Sequence, residues 1–154
     1  MVWFGVAVSI LHTPGRFKTT VVIPGNREIK TEMNKKTVVL IEPDMSVRDA
    51  LTVLLEGENW RVCSAENCHD LAALIEDKKV VAVISEASLP DCTPQQISDQ
   101  CSRQEMPVIF TGHDLPLQSA VDLIRQGAMD FLDKPFPQSR LLDLLDRLEH
   151  RQDD

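Results

Sequence analysis

The sequence lacks an apolar run long enough to cross a membrane. Its longest run, from Val2 to Leu11, is far shorter than the about 20 residues that a bilayer-spanning helix needs. The run also lacks the positive charges that precede the apolar core of a signal peptide. We therefore expect no membrane segment in this chain.

An excess of basic residues is also missing. The net charge is -8, and residues 1–32 carry more basic than acidic side chains, so the rest of the chain is strongly acidic. A nucleic-acid-binding surface needs a basic footprint that displaces counterions from phosphates. The composition therefore predicts that the chain has no nucleic-acid partner.

No standard metal-binding spacing is present among the cysteines. The chain has four cysteines, and the pattern formed by Cys63, Cys68 and His69 matches no zinc knuckle and offers no evident fourth ligand. Nothing else in the sequence indicates export. We therefore expect reduced thiols in a cytoplasmic protein rather than disulfides.

Composition divides the chain near residue 33. Residues 1–32 hold two short apolar stretches and two turn signals, which favour either a β-hairpin or a disordered extension. Met33 leads directly into an apolar strand, so we expect either that Met33 is the natural start or that residues 1–32 are dispensable. Residues 33–150 form the predicted domain, and residues 151–154 form a tail.

Apolar runs alternate with helical patterns from Thr37 onward. Capping signals at Ser46-x-x-Asp49 and Thr93-Pro94-x-Gln96 mark two helix starts, and Gly127 follows the fourth helix at a position that favours a left-handed residue. Five strands are predicted, at Val38–Ile41, Trp60–Cys63, Val80–Ile84, Val108–Phe110 and Met129–Leu132. The predicted fold is α/β: a five-stranded parallel sheet between two layers of helices, in the flavodoxin-like order 2-1-3-4-5.

Polar residues follow four of these strands. Glu42-Pro43-Asp44 follows the first strand and Glu86 ends the third, while Thr111 and Lys134 follow the fourth and fifth. Ligand sites in such sheets lie at the carboxyl ends of the strands, so these residues are expected to share one rim. Carboxylates suit a hard cation such as Mg²⁺, and a hydroxyl and an ammonium suit phosphate oxygens.

The segments around this rim resemble a receiver domain of bacterial response regulators. The resemblance covers residues 36–150 and is strongest to the FixJ/NtrC-type branch of the CheY-like superfamily. The segments that carry it are Val38–Asp44, Glu86–Pro90, Pro107–His113 and Gly127–Phe136. It implies a phosphorelay role in two-component signal transduction, not an enzyme. Its implied partners are proteins (a kinase, an output domain or a second copy in a homodimer), which would bind the face of the fourth helix, fifth strand and fifth helix.

The resemblance also assigns roles to residues. Glu86 stands at the phospho-acceptor position, where the family has aspartate, and Thr111 and Lys134 match the residues that read the phosphoryl group. Phe131 matches the aromatic switch residue, although on burial statistics a phenylalanine is more often part of a core. A cis peptide bond is expected before Pro135.

Two departures affect phosphorylation. Glutamate is one methylene longer than aspartate, which displaces its carboxylate by about 1.5 Å, and a misplacement of about 1 Å can cost 10²-fold in rate. The implied metal ligands are Glu42, Asp44 and Glu86, but Pro43 replaces one acid of the family's pair, so a weak or absent Mg²⁺ site is expected. Asp44 either substitutes for that acid or caps the first helix.

These departures predict a degenerate receiver that works without phosphorylation. In one version Glu86 pairs with Lys134 and partly imitates the phosphorylated form; in the other the pair is an ordinary salt bridge. Two alternatives stay open: a receiver still phosphorylated at a non-standard acidic site, and a flavodoxin-like protein that binds a small ligand. Against a flavin or nucleotide, no glycine-rich loop follows the first strand. His113 resembles a catalytic base but is expected to face solvent.

Overall fold

The computed structural model describes residues 7–13, 16–23, 27–31 and 36–152, the first three ranges by their backbone. The chain divides into two compact units, Met1–Asn34 and Lys35–Asp154. Residues 32–35, which include Met33, and residues 153–154 lie outside the described residues. The expectations for the start of the domain and for the tail therefore stay predictions.

The first unit contains an antiparallel sheet. Its strands are β1 (Ala7–Thr13), β2 (Arg16–Ile23) and β3 (Arg27–Thr31), in the order β1-β2-β3. The pairing of β1 with β2 aligns Ala7 with Val22, as in a hairpin, and β3 extends this pair by one strand.

The second unit alternates strands with helices. Its elements are β4 (Thr37–Ile41), α1 (Met45–Gly57), β5 (Arg61–Ala65), α2 (Leu71–Leu74), β6 (Val80–Glu86), α3 (Pro94–Arg103), β7 (Val108–Gly112), α4 (Leu117–Arg125), β8 (Asp130–Asp133) and α5 (Gln138–Gln152). The five strands are parallel and lie in the order β5-β4-β6-β7-β8. This confirms the predicted fold class and the predicted strand order, counted from β4.

Burial on both faces explains why the strand sequences are wholly apolar. Alternate side chains of a strand point to opposite faces of its sheet. Val38 and Leu40 of β4 belong to one core cluster, and Val39 and Ile41 belong to the other. The first cluster includes side chains of α1 and α5, and the second includes side chains of α2, α3 and α4. Helices on both faces therefore bury the sheet.

The helix starts differ in how well the sequence predicted them. The capping box of α3 is present as predicted, because Thr93 and Gln96 each accept a hydrogen bond from the backbone N–H of the other. The predicted box at Ser46 is wrong. The N-cap of α1 is Asp44, whose Oδ1 accepts the N–H groups of Ser46 and Val47 at 2.9 and 3.2 Å.

Two further features concern α2 and the end of α4. α2 is a single turn of four residues, and Ile75 is its C-cap. Gly127 has a φ of 106°, the left-handed conformation that its position predicted.

Among the described residues, no helix combines the length and the apolar character that crossing a membrane requires.

The expectation that all cysteines are reduced is wrong for one pair. Cys68, before α2, and Cys92, before α3, are joined in a disulfide, while Cys63 and Cys101 are free. The bonded residues are 24 positions apart, and only the packing of the segments that follow β5 and β6 brings them together. Sequence spacing carried no sign of this pairing.

Candidate functional site

The register of the parallel strands brings the predicted rim residues together. Ile41 pairs with Ser85, so the residues that follow them, Glu42 and Glu86, lie side by side. Glu86 pairs in turn with Thr111 of β7. Beyond β8, the backbone N–H of Lys134 donates to the carbonyl oxygen of Gly112 at 2.7 Å. Four residues that are far apart in the sequence therefore share one edge of the sheet.

Lys134 forms ion pairs with both carboxylates at this edge. Its Nζ donates to Oε1 of Glu42 and, at 2.5 Å, to Oε2 of Glu86. All three side chains are buried, with exposed fractions of 9% for Lys134, 3% for Glu42 and 10% for Glu86. Buried charges need partners of opposite sign, and here both carboxylates share Lys134 as that partner.

The carboxylates also determine the protonation of Lys134. Burial by itself lowers the pKa of this ammonium, because desolvation penalises the charged form. The hydrogen bonds and charges of Glu42 and Glu86 act in the opposite direction and outweigh burial, so the pKa of Lys134 is raised above its usual value. Lys134 is therefore a permanent cation at neutral pH.

The second oxygen of Glu86 is engaged as well. Oε1 accepts the backbone N–H of Ser88 at 3.3 Å. The neighbouring N–H, that of Ala87, donates to the carbonyl oxygen of Thr111 at 2.8 Å. The carboxylate of Glu86 is thus held on one side by Lys134 and on the other by the segment that follows β6.

The predicted Mg²⁺ ligands do not form a metal site in this arrangement. The carboxylates of Glu42 and Glu86 hold Lys134, and the carboxylate of Asp44 caps α1. Pro43 is exposed and offers neither a carboxylate nor an N–H. The residues present therefore do not fit a Mg²⁺ ion bound by Glu42, Asp44 and Glu86.

Comparison with known proteins identifies the family. Residues 38–146 match the sequence model of the response regulator receiver domain. The chain belongs to this family. The C4-dicarboxylate transport transcriptional regulatory protein DctD of Pseudomonas aeruginosa is 37% identical over 115 residues, which cover 71% of this chain and 24% of DctD. The transcriptional regulatory protein FixJ of Bradyrhizobium diazoefficiens is 28% identical over 116 residues, or 73% of this chain and 56% of FixJ.

Solved structures give the same fold. The receiver domain of a Luxo repressor protein from Vibrio parahaemolyticus superposes with a TM-score of 0.69 at 26% identity, covering 77% of this chain and 95% of that domain. The chain thus spans about a quarter of DctD and about half of FixJ, but nearly all of an isolated receiver domain. What it shares with the longer regulators is the receiver part.

Two further residues of the receiver unit were predicted from the resemblance. Thr111 is buried, and Phe131 is partly buried against the core cluster on the α2–α3 face. A Cβ added at Gly112 would lie 3.4 Å from the ring of Phe131 and 3.7 Å from Oε1 of Glu86. These are ordinary contact distances, so they place the ring of Phe131 and the carboxylate of Glu86 near the end of β7 without requiring a glycine there.

An apolar groove lies beside the rim of the receiver unit. Its volume is about 430 Å³, and Val47, Leu51 and Leu54 of α1 line one side of it. Lys134, Pro135 and Phe136 line the other, and the peptide bond between Lys134 and Pro135 is cis, as predicted. His113 also borders this groove and is exposed, as predicted, so it is not part of a buried catalytic arrangement.

Proposed function

We propose that this chain is a two-component signalling receiver that works without phosphorylation, with Glu86 at the phospho-acceptor position. One observation carries the proposal: the ammonium of Lys134 bonds to both Glu42 and Glu86. In the family, the matching lysine reads the phosphoryl group. Here two carboxylates already pair with the ammonium of Lys134, the cation that a phosphoryl group would need.

The state of Glu86 supports a loss of phosphate acceptance. To accept phosphate, a carboxylate oxygen would form a bond to phosphorus while the bond from phosphorus to the leaving oxygen broke. Both oxygens of Glu86 have hydrogen-bond partners, and the residue is only 8% exposed. The extra methylene also shifts the attacking oxygen by about 1.5 Å from the position of an aspartate oxygen, enough to cost about 10²-fold in rate.

The proposal includes a weak or absent Mg²⁺ site and no enzymatic turnover. An incoming Mg²⁺ would have to displace Lys134 from two carboxylates and would find a proline where the family has its second acid. Both rim carboxylates, Glu42 and Glu86, are paired with the same cation, Lys134. The site is instead suited to hold a fixed arrangement of charges.

We further propose that the contact between Glu86 and Lys134 imitates the phosphorylated form. A buried carboxylate bonded to this lysine at 2.5 Å places negative charge next to the cation, beside Thr111 and the ring of Phe131. The simpler interpretation is a salt bridge without influence on the switch residues. Glu86→Gln separates the two, because it keeps the side-chain length and removes the charge. Imitation predicts that this variant alters the ring environment of Phe131 and weakens partner binding, while Glu66→Gln, at an exposed residue, changes neither.

The expected output is a protein–protein contact through α4, β8 and α5. Two apolar side chains of α4 are exposed here, Leu117 by 80% and Ile124 by 43%. Arg140 of α5 and Asp130 of β8 form an ion pair at 3.2 Å that joins two elements of this face. A kinase, an output domain or a second copy of the chain are the partners proposed, and a nucleic acid is not, because the chain carries a net charge of -8.

The decisive experiment is incubation with acetyl phosphate and Mg²⁺, followed by intact-mass measurement. The chain should gain no phosphoryl group. Glu86→Asp combined with Pro43→Asp is the matched control, since it restores the aspartate and the second acid of the family and should become labelled. Covalent phosphate on Glu86 of the unmodified chain would contradict the proposal and support the alternative of a non-standard acidic acceptor.

A further inference from the structure

Three side chains of metal-ligand type meet at a place outside the rim. Cys68 lies before α2, and Asp91 and Cys92 lie before α3. Their two sulfur atoms and one carboxylate oxygen all lie within 4.8 Å of one another. The sequence spacing of Cys63, Cys68 and His69 matched no metal site, whereas folding gives Cys68 the partners Asp91 and Cys92.

The carboxylate of Asp91 is held next to the sulfur of Cys68. Its Oδ2 accepts the backbone N–H of Cys68 at 3.2 Å and also lies 3.2 Å from the Sγ of Cys68. The backbone hydrogen bond does not depend on the disulfide. Reduction would therefore leave the carboxylate where it is and add two thiols in front of it.

The three residues differ in how far they are exposed to solvent. Cys68 is buried with 8% exposure, Cys92 is partly buried and Asp91 is exposed. An ion bound here would have protein on one side and solvent on the other, so that a water molecule could complete a tetrahedral shell. Two thiolates and one carboxylate are ligands that Zn²⁺ takes in proteins.

The other two cysteines differ in chemistry. Burial raises the pKa of Cys101 to about 12, and burial together with the charge of Asp77 raises the pKa of Cys63. A cysteine binds metal as its thiolate. Cys63 and Cys101 are also free and lie outside the group of Cys68, Asp91 and Cys92, so they serve as matched controls within the same chain.

We propose that reduction of the Cys68–Cys92 disulfide creates a Zn²⁺ site formed by Cys68, Asp91 and Cys92. A dithiol is the chemical class of reductant: its two thiols become a disulfide while the bond between Cys68 and Cys92 breaks into two thiols. Zn²⁺ then binds the two sulfurs with release of their two protons. The proposal does not rest on the phosphorylation state of Glu86.

The site would join the same two segments in either redox state. In the oxidised chain a covalent bond links the start of α2 to the segment that follows Glu86. In the reduced chain the metal ion would make that link. Loss of both would leave the hydrogen bond between the N–H of Cys68 and Asp91 as the described link between these ends, so this link would depend on thiol redox state and on zinc supply.

The test is Zn²⁺ titration of the full chain in competition with a chromophoric chelator. The chain is reduced with a phosphine, the phosphine is removed, and the reduced chain is titrated. The same titration is then carried out on the oxidised chain. One Zn²⁺ per reduced chain is expected, and none per oxidised chain. Cys68→Ser, Cys92→Ser and Asp91→Asn should each weaken binding by more than about 10-fold, since even outer partners of metal ligands have effects of 10- to 100-fold.

Two control variants make the outcome unambiguous. Cys63→Ser and Cys101→Ser should bind Zn²⁺ as the unmodified chain does, and circular dichroism confirms that every variant is folded. Co²⁺ in place of Zn²⁺ should give a sulfur-to-metal charge-transfer band that Cys68→Ser abolishes. The proposal is overturned if the reduced chain binds no Zn²⁺, if Asp91→Asn binds normally, or if the control variants lose as much affinity as Cys68→Ser.

Discussion

Lys134 lies between two buried carboxylates, so its removal would leave Glu42 and Glu86 without their cation. Removing one partner of a buried ion pair typically costs about 3–5 kcal/mol. Lys134→Met should therefore lower the free energy of unfolding by about that amount in urea titrations. Lys78→Met, at an exposed lysine, should stay within about 0.5 kcal/mol of the parent. Equal effects of the two substitutions would contradict this account of the rim.

The raised pKa of Lys134 predicts how stability depends on pH. Because the native pKa lies above the unfolded value of about 10.4, the stabilisation by Lys134 is fully present below that pH. It is lost as the pH rises through the native pKa. The difference in unfolding free energy between the parent and Lys134→Met should therefore be constant near neutrality and shrink in the alkaline range. A difference that grows with alkalinity would refute the sign.

Asp44 caps α1, and two substitutions distinguish this role from that of a metal ligand. Asparagine keeps an oxygen that can accept the N–H groups of Ser46 and Val47, and alanine does not. Asp44→Ala should cost about 1 kcal/mol in thermal or urea unfolding, and Asp44→Asn much less. If asparagine is as harmful as alanine, the charge of Asp44 matters for a reason other than capping.

At the scale of elements, the end of α4 depends on a backbone conformation that only glycine adopts easily. Gly127 has a φ of 106°, and a side chain there would be strained by about 1–2 kcal/mol. Gly127→Ala should lower the unfolding free energy by about this amount. Gly57→Ala is the matched control, because nothing lies within 4 Å of the added Cβ at the end of α1. This second variant should be neutral or more stable, by about 0.4–1 kcal/mol.

Elements were predictable from sequence where one local signal decided them. The apolar runs of β4 and β6 predicted buried parallel strands because both faces of the sheet are covered. The start of α1 was misplaced because Asp44 and Ser46 are both good caps, and only backbone geometry decides between them.

At the scale of the whole molecule, the two described core clusters both belong to the unit Lys35–Asp154. The sequence analysis predicts that residues 1–32 are dispensable, so a chain that begins at Met33 should unfold with the same urea midpoint and the same m-value as the full chain. The m-value follows the surface exposed on unfolding of the unit, so it tests compactness as well as stability. A lower midpoint for the shortened chain would show that residues 1–32 contribute to the stability of the receiver unit.

The site was predictable only as a set of positions. Glu42, Glu86, Thr111 and Lys134 could be placed on one rim because parallel strands end at the same edge of a sheet. The predicted pairing of Glu86 with Lys134 is confirmed, whereas the bond from Lys134 to Glu42 depends on side-chain positions that no pattern encodes. The pairing of Cys68 with Cys92 depends likewise on how two connecting segments pack, and the sequence analysis missed it for that reason.

The segment from Glu86 to Cys92 is fastened at both ends. At one end the carboxylate of Glu86 accepts the N–H of Ser88, and the N–H of Ala87 donates to the carbonyl oxygen of Thr111. At the other end a disulfide joins Cys92 to Cys68. A loop pinned twice has few conformations left to sample, so opening it costs more free energy than opening a loop attached only by its chain ends. We therefore expect the edge of β6 that carries Glu86 to be among the less mobile parts of the receiver unit.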